Sequence, residues 1–305
     1  MKKITHLLLM LLLLVAACDP EKEEEPEPVD LTEGYFEPGD KKVGLVLSGG
    51  GAKGAAEIGA LKVIEQNNIH VDYIAGTSIG SIMGALYSAG YTAAELEDFF
   101  ASLDETSAKK SSVIRQMVGQ LLEQKGVSTF ADLKIPFRCV AADTKELTEV
   151  VLSEGSVLES VMASSAIPYI YDNVEIDGKV LVDGGFYNNL PVDVAQDMGA
   201  EYTIVVDLRQ NNESFVPAKY EPLIKAALLS PELAKQFLGE ATAIATDYFD
   251  NRPDLAKYDA NKQSADIYIH PILTGYDALS FGASNVHTMS EIGEQAAELK
   301  LKVRE

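Results

Sequence analysis

The sequence predicts an α/β fold, a mostly parallel central sheet flanked by helices. Three observations predict it. Short runs of branched apolar residues alternate along the chain with segments of helical spacing. Tyr202 to Leu208 (YTIVVDL) is nearly all apolar, as a parallel strand buried on both faces would be. Two glycine-rich turns each stand directly between a strand-like and a helix-like segment.

Taken in order, Lys42 to Leu47 (KVGLVL) reads as a buried strand that runs into Ser-Gly-Gly-Gly. Gly54 to Gln66 carries Ile58, Leu61 and Ile64 at the spacing of an amphipathic helix. Val71 to Ala75 is a second strand, and Ile79 to Ala89 a helix stopped at Gly90. Phe137 to Ala142, Val150 to Leu152, Lys179 to Val182 and Ala265 to Pro271 read as further strands, and Thr288 to Arg304 as a closing helix. Between Thr92 and Leu133, a stripe of Phe99, Phe100, Ile114, Met117, Val118, Leu121 and Leu122 falls on helical spacing. Most of it is expected in the core rather than on a lipid-facing lid. Residues 209–262 start polar and irregular, then turn helical over Leu223 to Phe249.

Composition narrows the function. Forty-seven acids against 25 bases give a net charge of −22, which argues against a nucleic-acid partner and leaves a lipid or ester substrate open. Two cysteines, Cys18 and Cys139, make no disulfide framework. His6, His70, His270 and His287 show no metal-ligand spacing, so neither metal nor cofactor is expected, and no calcium loop is present. Nothing in the residues points to an oligomeric state.

Residues 1–17 read as a signal peptide: Lys2 and Lys3, a leucine-rich run over Leu8 to Val15, then Ala16 and Ala17 before Cys18. The apolar run is too short for a membrane span. Small residues ahead of a cysteine resemble the bacterial lipobox, which implies lipidation at Cys18 and membrane attachment through that lipid. Residues 18–40 then read as a disordered tether, because Asp19 to Asp40 holds ten acids, one lysine and four prolines. Its Glu21-Lys22-Glu23-Glu24-Glu25 run resembles the surface-export signal of some Bacteroidetes lipoproteins. The expected location is therefore the outer membrane, on its periplasmic or outer face, with residues 41–305 forming the folded domain.

Gly76-Thr77-Ser78-Ile79-Gly80 is a G-x-S-x-G pentapeptide in the strand-to-helix setting that a nucleophile elbow requires. Flanking glycines relieve the tight turn, and the start of the helix favours the negative charge that develops there. Ser48-Gly49-Gly50-Gly51-Ala52-Lys53-Gly54 follows the first strand, and its successive glycines let backbone N–H groups converge on an anion. A phosphate loop fails, since Lys53 precedes Gly54 and no Ser or Thr follows. A dinucleotide site would want an acid at the end of the second strand, where the serine stands instead. An oxyanion hole at Gly49, Gly50 and Gly51 remains. Asp183-Gly184-Gly185, after the strand to Val182, sets a carboxylate on an open turn.

The order of GGGAKG, GTSIG and DGG resembles the patatin-like phospholipase family, and FRCVAAD (137–143), ASSAIP (163–168) and NNLPV (188–192) match it as well. Lys53 departs from the pattern, since arginine is commoner there, and the segment after Thr92 is short. The resemblance implies a three-layer sandwich and a Ser78–Asp183 dyad cleaving acyl esters of lipids. It also implies Gly49–Gly51 as the oxyanion hole, with Lys53, Gly54, Gly76, Gly80, Gly184 and Gly185 supporting the motifs. Two rivals stand beside it. One is a Ser–Asp–His triad using His270 or His287, and the other a catalytically silent lipid- or partner-binding protein on the same fold.

Overall fold

A computed structural model describes residues 33–210, 216 and 220–303. The proposed signal peptide, Cys18 and most of the tether lie outside the described residues. The first strand, β1 (Val43–Leu47), is buried along its whole length. It sits at the centre because its branched residues serve both faces. Val43, Leu45 and Leu47 enter the larger core while Val46 enters a smaller one opposite.

β1 pairs in parallel with β2 (Tyr73–Thr77) on one side and with β7 (Tyr202–Val206) on the other. Beyond β7 lies β8 (Ile267–Ile269), and beyond β2 lies β3 (Phe137–Asp143), both parallel. The β3 side is antiparallel: β3 pairs with β4 (Thr148–Leu152) and with β6 (Lys179–Asp183), which forms a hairpin with β5 (Val174–Ile176). The sheet is therefore mostly parallel, as expected, with an antiparallel margin.

Helices α1 (Ala55–Gln66), α2 (Ile79–Ser88) and α3 (Ala93–Ala101) cover one face. Short α4 (Glu105–Ala108), α5 (Ser111–Gln124) and α6 (Val157–Ser164) continue that layer. The opposite face is closed by α7 (Val192–Asp197), α8 (Glu221–Leu228), α9 (Pro231–Phe237), α10 (Thr242–Asn251) and α11 (Pro253–Gln263). The last helix, α12 (Ala283–Lys300), packs on α1, where glycines bring the backbones together: a Cβ on Gly293 would stand 2.0 Å from the Ala56 carbonyl oxygen.

Three expectations need correction. β2 begins two residues after Val71, because the Asp72 carboxylate instead accepts from Lys42 Nζ (2.6 Å) and the Val43 N–H (2.9 Å). α12 begins at Ala283, five residues ahead of Thr288. The tether is not free over its last residues. Gly34 and Phe36 donate backbone hydrogen bonds to Leu299 and Lys302, and the Phe36 ring meets Tyr202 edge-on at 5.7 Å. Tyr35 and Phe36 are the two aromatic residues in an otherwise polar stretch, and they supply the apolar surface that ordering requires.

Candidate active site

Sheet register brings the site together. Thr77, the last residue of β2, stands opposite Val140 of β3, and the next residue, Ala141, stands opposite Asp183 at the end of β6. The residue after Thr77 is Ser78, so the elbow and the carboxylate arrive side by side although 105 positions separate them. Ser78 Oγ donates to Asp183 Oδ2 at 2.7 Å, and the other carboxylate oxygen accepts from the Gly185 N–H at 2.8 Å.

Ser78 occupies a left-handed conformation, φ 53° and ψ −123°, that non-glycine residues rarely adopt. Such strain persists only where the surroundings hold it. Here they do. The Ser78 N–H donates to Ser164 Oγ (3.0 Å), which in turn donates to the Val140 carbonyl (2.6 Å). The Ser78 carbonyl accepts from Ser81 Oγ (2.6 Å) and Ser165 Oγ (3.1 Å), while Thr77 Oγ1 donates to the Asn188 carbonyl. The elbow glycines have a steric reason: a Cβ on Gly80 would lie 2.3 Å from the Leu47 carbonyl oxygen, and one on Gly76 would lie 2.4 Å from the oxygen of Gly80. Gly184 is likewise packed on the Val140 carbonyl, and Gly54 faces Ile79 across the two motifs.

The glycine loop is pinned from two sides. Gly49 and Asn189 exchange hydrogen bonds, the Gly49 N–H to the Asn189 carbonyl and Asn189 Nδ2 to the Gly49 carbonyl, each 3.2 Å. The Ala52 N–H donates to the Ala278 carbonyl at 2.9 Å. Gly49 is therefore removed from the expected oxyanion hole, because its donor is spent on holding the loop. Gly50 and Gly51 find no acceptor for their N–H groups among the described residues. Gly51 has φ +58° and shares a pocket with Ser78. Lys53 is buried in the turn that follows, at the entrance to α1.

That pocket is almost wholly apolar. Phe99, Phe100, Leu103, Ile114, Ile167 and Phe281 are among its walls, and its volume is about 50 Å³. Of the stripe between Thr92 and Leu133, Phe100, Ile114, Val118 and Leu122 are buried in the larger core, as expected, and Phe99, Phe100 and Ile114 also wall the pocket. Asp183 is fully buried beside it, and desolvation pushes its pKa from 3.8 up to about 7, against the opposing effect of its bonds from Ser78 and Gly185.

The histidines lie elsewhere. His270 Nε2 is bonded to the Arg209 carbonyl, His287 stands 3.4 Å from Glu97 and His70 3.6 Å from Asp72, the last two largely exposed. A triad through His270 or His287 is not assembled. Among the described residues, no group of three or more His, Cys, Asp or Glu is placed to hold a metal ion. Sequence reading missed Ser164, Ser165 and Asn189 as parts of the site. The only signal they gave was their place in the ASSAIP and NNLPV segments.

Residues 45–196 match the patatin-like phospholipase family profile. The human patatin-like phospholipase domain-containing protein 6 is 33% identical over 192 residues, covering 56% of this chain and 14% of that protein. The neuropathy target esterase sws of Drosophila melanogaster is 32% identical over 189 residues, 56% of this chain and 13% of its own. Lysophospholipase NTE1 of Saccharomyces cerevisiae is 29% identical over 182 residues, 54% and 11% respectively. The chain thus corresponds to about one seventh or less of these much longer relatives, and the residues that match the family profile include the glycine loop, the elbow and Asp183. Over residues 45–196 the chain is similar to the patatin-like phospholipases.

Proposed function

We propose that this domain hydrolyses acyl esters of lipids, with Ser78 as nucleophile and Asp183 as its base. The observation that carries the reading is the 2.7 Å hydrogen bond from Ser78 Oγ to a buried Asp183, set at the end of an apolar pocket. Ser78 Oγ attacks the ester carbonyl while its proton passes to Asp183 Oδ2. The Gly50 and Gly51 N–H groups receive the oxyanion. As the ester C–O bond breaks, the proton passes from Asp183 to the departing alkoxide. Water then attacks the acyl-enzyme, gives its proton to Asp183, and the fatty acid leaves as Ser78 Oγ recovers it. The apolar pocket receives the acyl chain, and its lack of polar walls suits a hydrocarbon.

From the leucine-rich run and the small residues ahead of Cys18, we further propose that the protein is an exported lipoprotein, acylated at Cys18 and held at the outer membrane or displayed on the cell surface. A fluorophosphonate probe and a short-chain nitrophenyl ester test the chemistry. Wild type is expected to be labelled and active, and Ser78→Ala to be unlabelled and to lose most turnover. Retained turnover in Ser78→Ala, with contaminating esterases excluded, rules the assignment out.

A further inference from the structure

An apolar surface continues outward from the active-site pocket. Ile167, Ile170 and Tyr171 line that pocket, while Tyr169 between them is turned out to solvent, 43% exposed. Its backbone sits in the left-handed region at φ 74°, which costs energy for an aromatic residue. The outward ring is received by two others: Tyr220 at 5.8 Å and Phe237 at 6.0 Å. These belong to the α8–α9 pair, which also presents Leu223 and Leu229, the latter 78% exposed. Of the eight large apolar side chains exposed among the described residues, four are therefore Tyr169, Leu223, Leu229 and Phe237. Three of these four come from one helix pair, Tyr169 packs on that pair through Phe237, and exposed apolar side chains concentrated in this way mark an interaction site.

Charge says what the site meets. The chain carries −22 overall, yet residues 221–238 hold two acids, Glu221 and Glu232, and two lysines, Lys225 and Lys235. Lys225 is paired with Glu221 at 2.5 Å. This stretch is locally neutral in an acidic molecule, which suits headgroups that carry no net charge.

We propose that Tyr169, Leu223, Leu229 and Phe237 form the surface by which the domain rests on a zwitterionic phospholipid bilayer, with the pocket mouth facing the lipid. The proposal rests on the lipid-hydrolase reading and adds to it the face that meets the membrane. The side chains enter only the headgroup and upper acyl region, on the scale of about 5–10 Å for interfacial elements. Substrate then passes from bilayer to Ser78 along Tyr169 and Tyr171 without crossing water.

The chain contains no tryptophan, which makes the test site-specific. In the full chain carrying Ser78→Ala, so that vesicles are not consumed, Leu229→Trp should show blue-shifted emission with phosphatidylcholine vesicles and quenching by brominated acyl chains. Val303→Trp, exposed near the C-terminus, should show neither. In the active protein, Leu229→Asp combined with Phe237→Asp should lower turnover of vesicle-borne phospholipid by about tenfold or more, while turnover of a soluble short-chain ester holds. A Leu229→Trp signal that vesicles leave unchanged overturns the proposal, as does undiminished vesicle turnover in the double variant. Self-association of wild type in sedimentation, lost in the double variant and unaccompanied by a vesicle shift, would assign the face to a second copy instead. Absence of soluble-ester turnover in wild type would defeat the functional reading while leaving the fluorescence result standing.

Discussion

A carboxylate with an ordinary pKa is too weak a base to draw the proton from a serine hydroxyl at useful rates. As the proposed base, Asp183 would escape this, because burial raises its pKa to about 7. The consequence for activity has a definite sign: the base must be ionised, so kcat/KM should fall about tenfold per pH unit below roughly pH 7 and level off above it. The consequence for stability has the opposite sign. A carboxyl whose pKa is raised from 3.8 to about 7 by folding contributes fully below pH 4, and that contribution is lost as pH rises towards 7. Asp183→Asn keeps the shape and the bond from Gly185, so it should abolish turnover yet raise the melting temperature at pH 8, with little gain at pH 4. Thermal scans at the two pH values check this, and an equal effect at both would contradict it. Ser78, Asp183 and the loop glycines were legible in the sequence because tight turns and close backbone approach admit few residue types. Ser164 and Asn189 were not, since a serine or asparagine at a helix end or turn is ordinary until its partner is known. Gly49 was misread for a related reason: a run of glycines does not reveal which N–H is already engaged.

At the scale of elements, the strands were readable because their burial leaves unbroken apolar runs, whereas helix starts such as Ala283 were set by tertiary packing. α1 carries a cost the sequence hid. Glu57 is fully buried against the sheet with neither carboxyl oxygen hydrogen-bonded among the described residues, and desolvation pushes its pKa well up. A neutral carboxyl is tolerated there, and ionising it is not. Stability should therefore fall as pH rises above 4.5, and Glu57→Gln should remove that loss, its advantage in melting temperature growing from pH 5 to pH 9. A constant difference across that range would show that Glu57 ionises in the fold as readily as in the unfolded chain. The helices walling the pocket make a second prediction. A volume of about 50 Å³ holds only a few waters, so the pocket admits a short acyl segment unless a wall yields. Phe281 packs edge-on against Phe100 at 5.6 Å and is only half-buried, which makes it the wall most easily removed. Phe281→Ala should shift preference towards longer acyl chains, by up to about fourfold per added methylene accommodated. Ratios of kcat/KM across a series of chain lengths test this, and an unchanged series would place the acyl chain elsewhere.

For the whole molecule, anchorage and chemistry are separable. Lipidation contributes about 0.8 kcal/mol per buried methylene, so the acyl groups proposed at Cys18 would dominate attachment. Cys18→Ser should abolish palmitate incorporation and release the protein from the membrane fraction, leaving soluble-ester turnover unchanged. A variant that stays membrane-bound, with no palmitate taken up by wild type, would remove the lipoprotein reading. Gly34 and Phe36, within the stretch expected to be a tether, dock on the C-terminal end of the chain and on Tyr202.

The β3 handover has a kinetic meaning. Val140 and Ala141 are neighbours, yet one faces a strand before it in the chain and the other a strand after it. Pairings this distant in sequence close slowly, since loop entropy must be overcome before they stabilise anything. Ser78 and Asp183 therefore meet only when both halves of β3 are dressed, late in folding. A partly folded chain can have its helices and its first two strands and still be unable to cut an ester. On refolding, hydrolysis should lag behind the recovery of helical signal. For a protein proposed to act on lipid, such a delay would keep every unfinished copy harmless to nearby membranes.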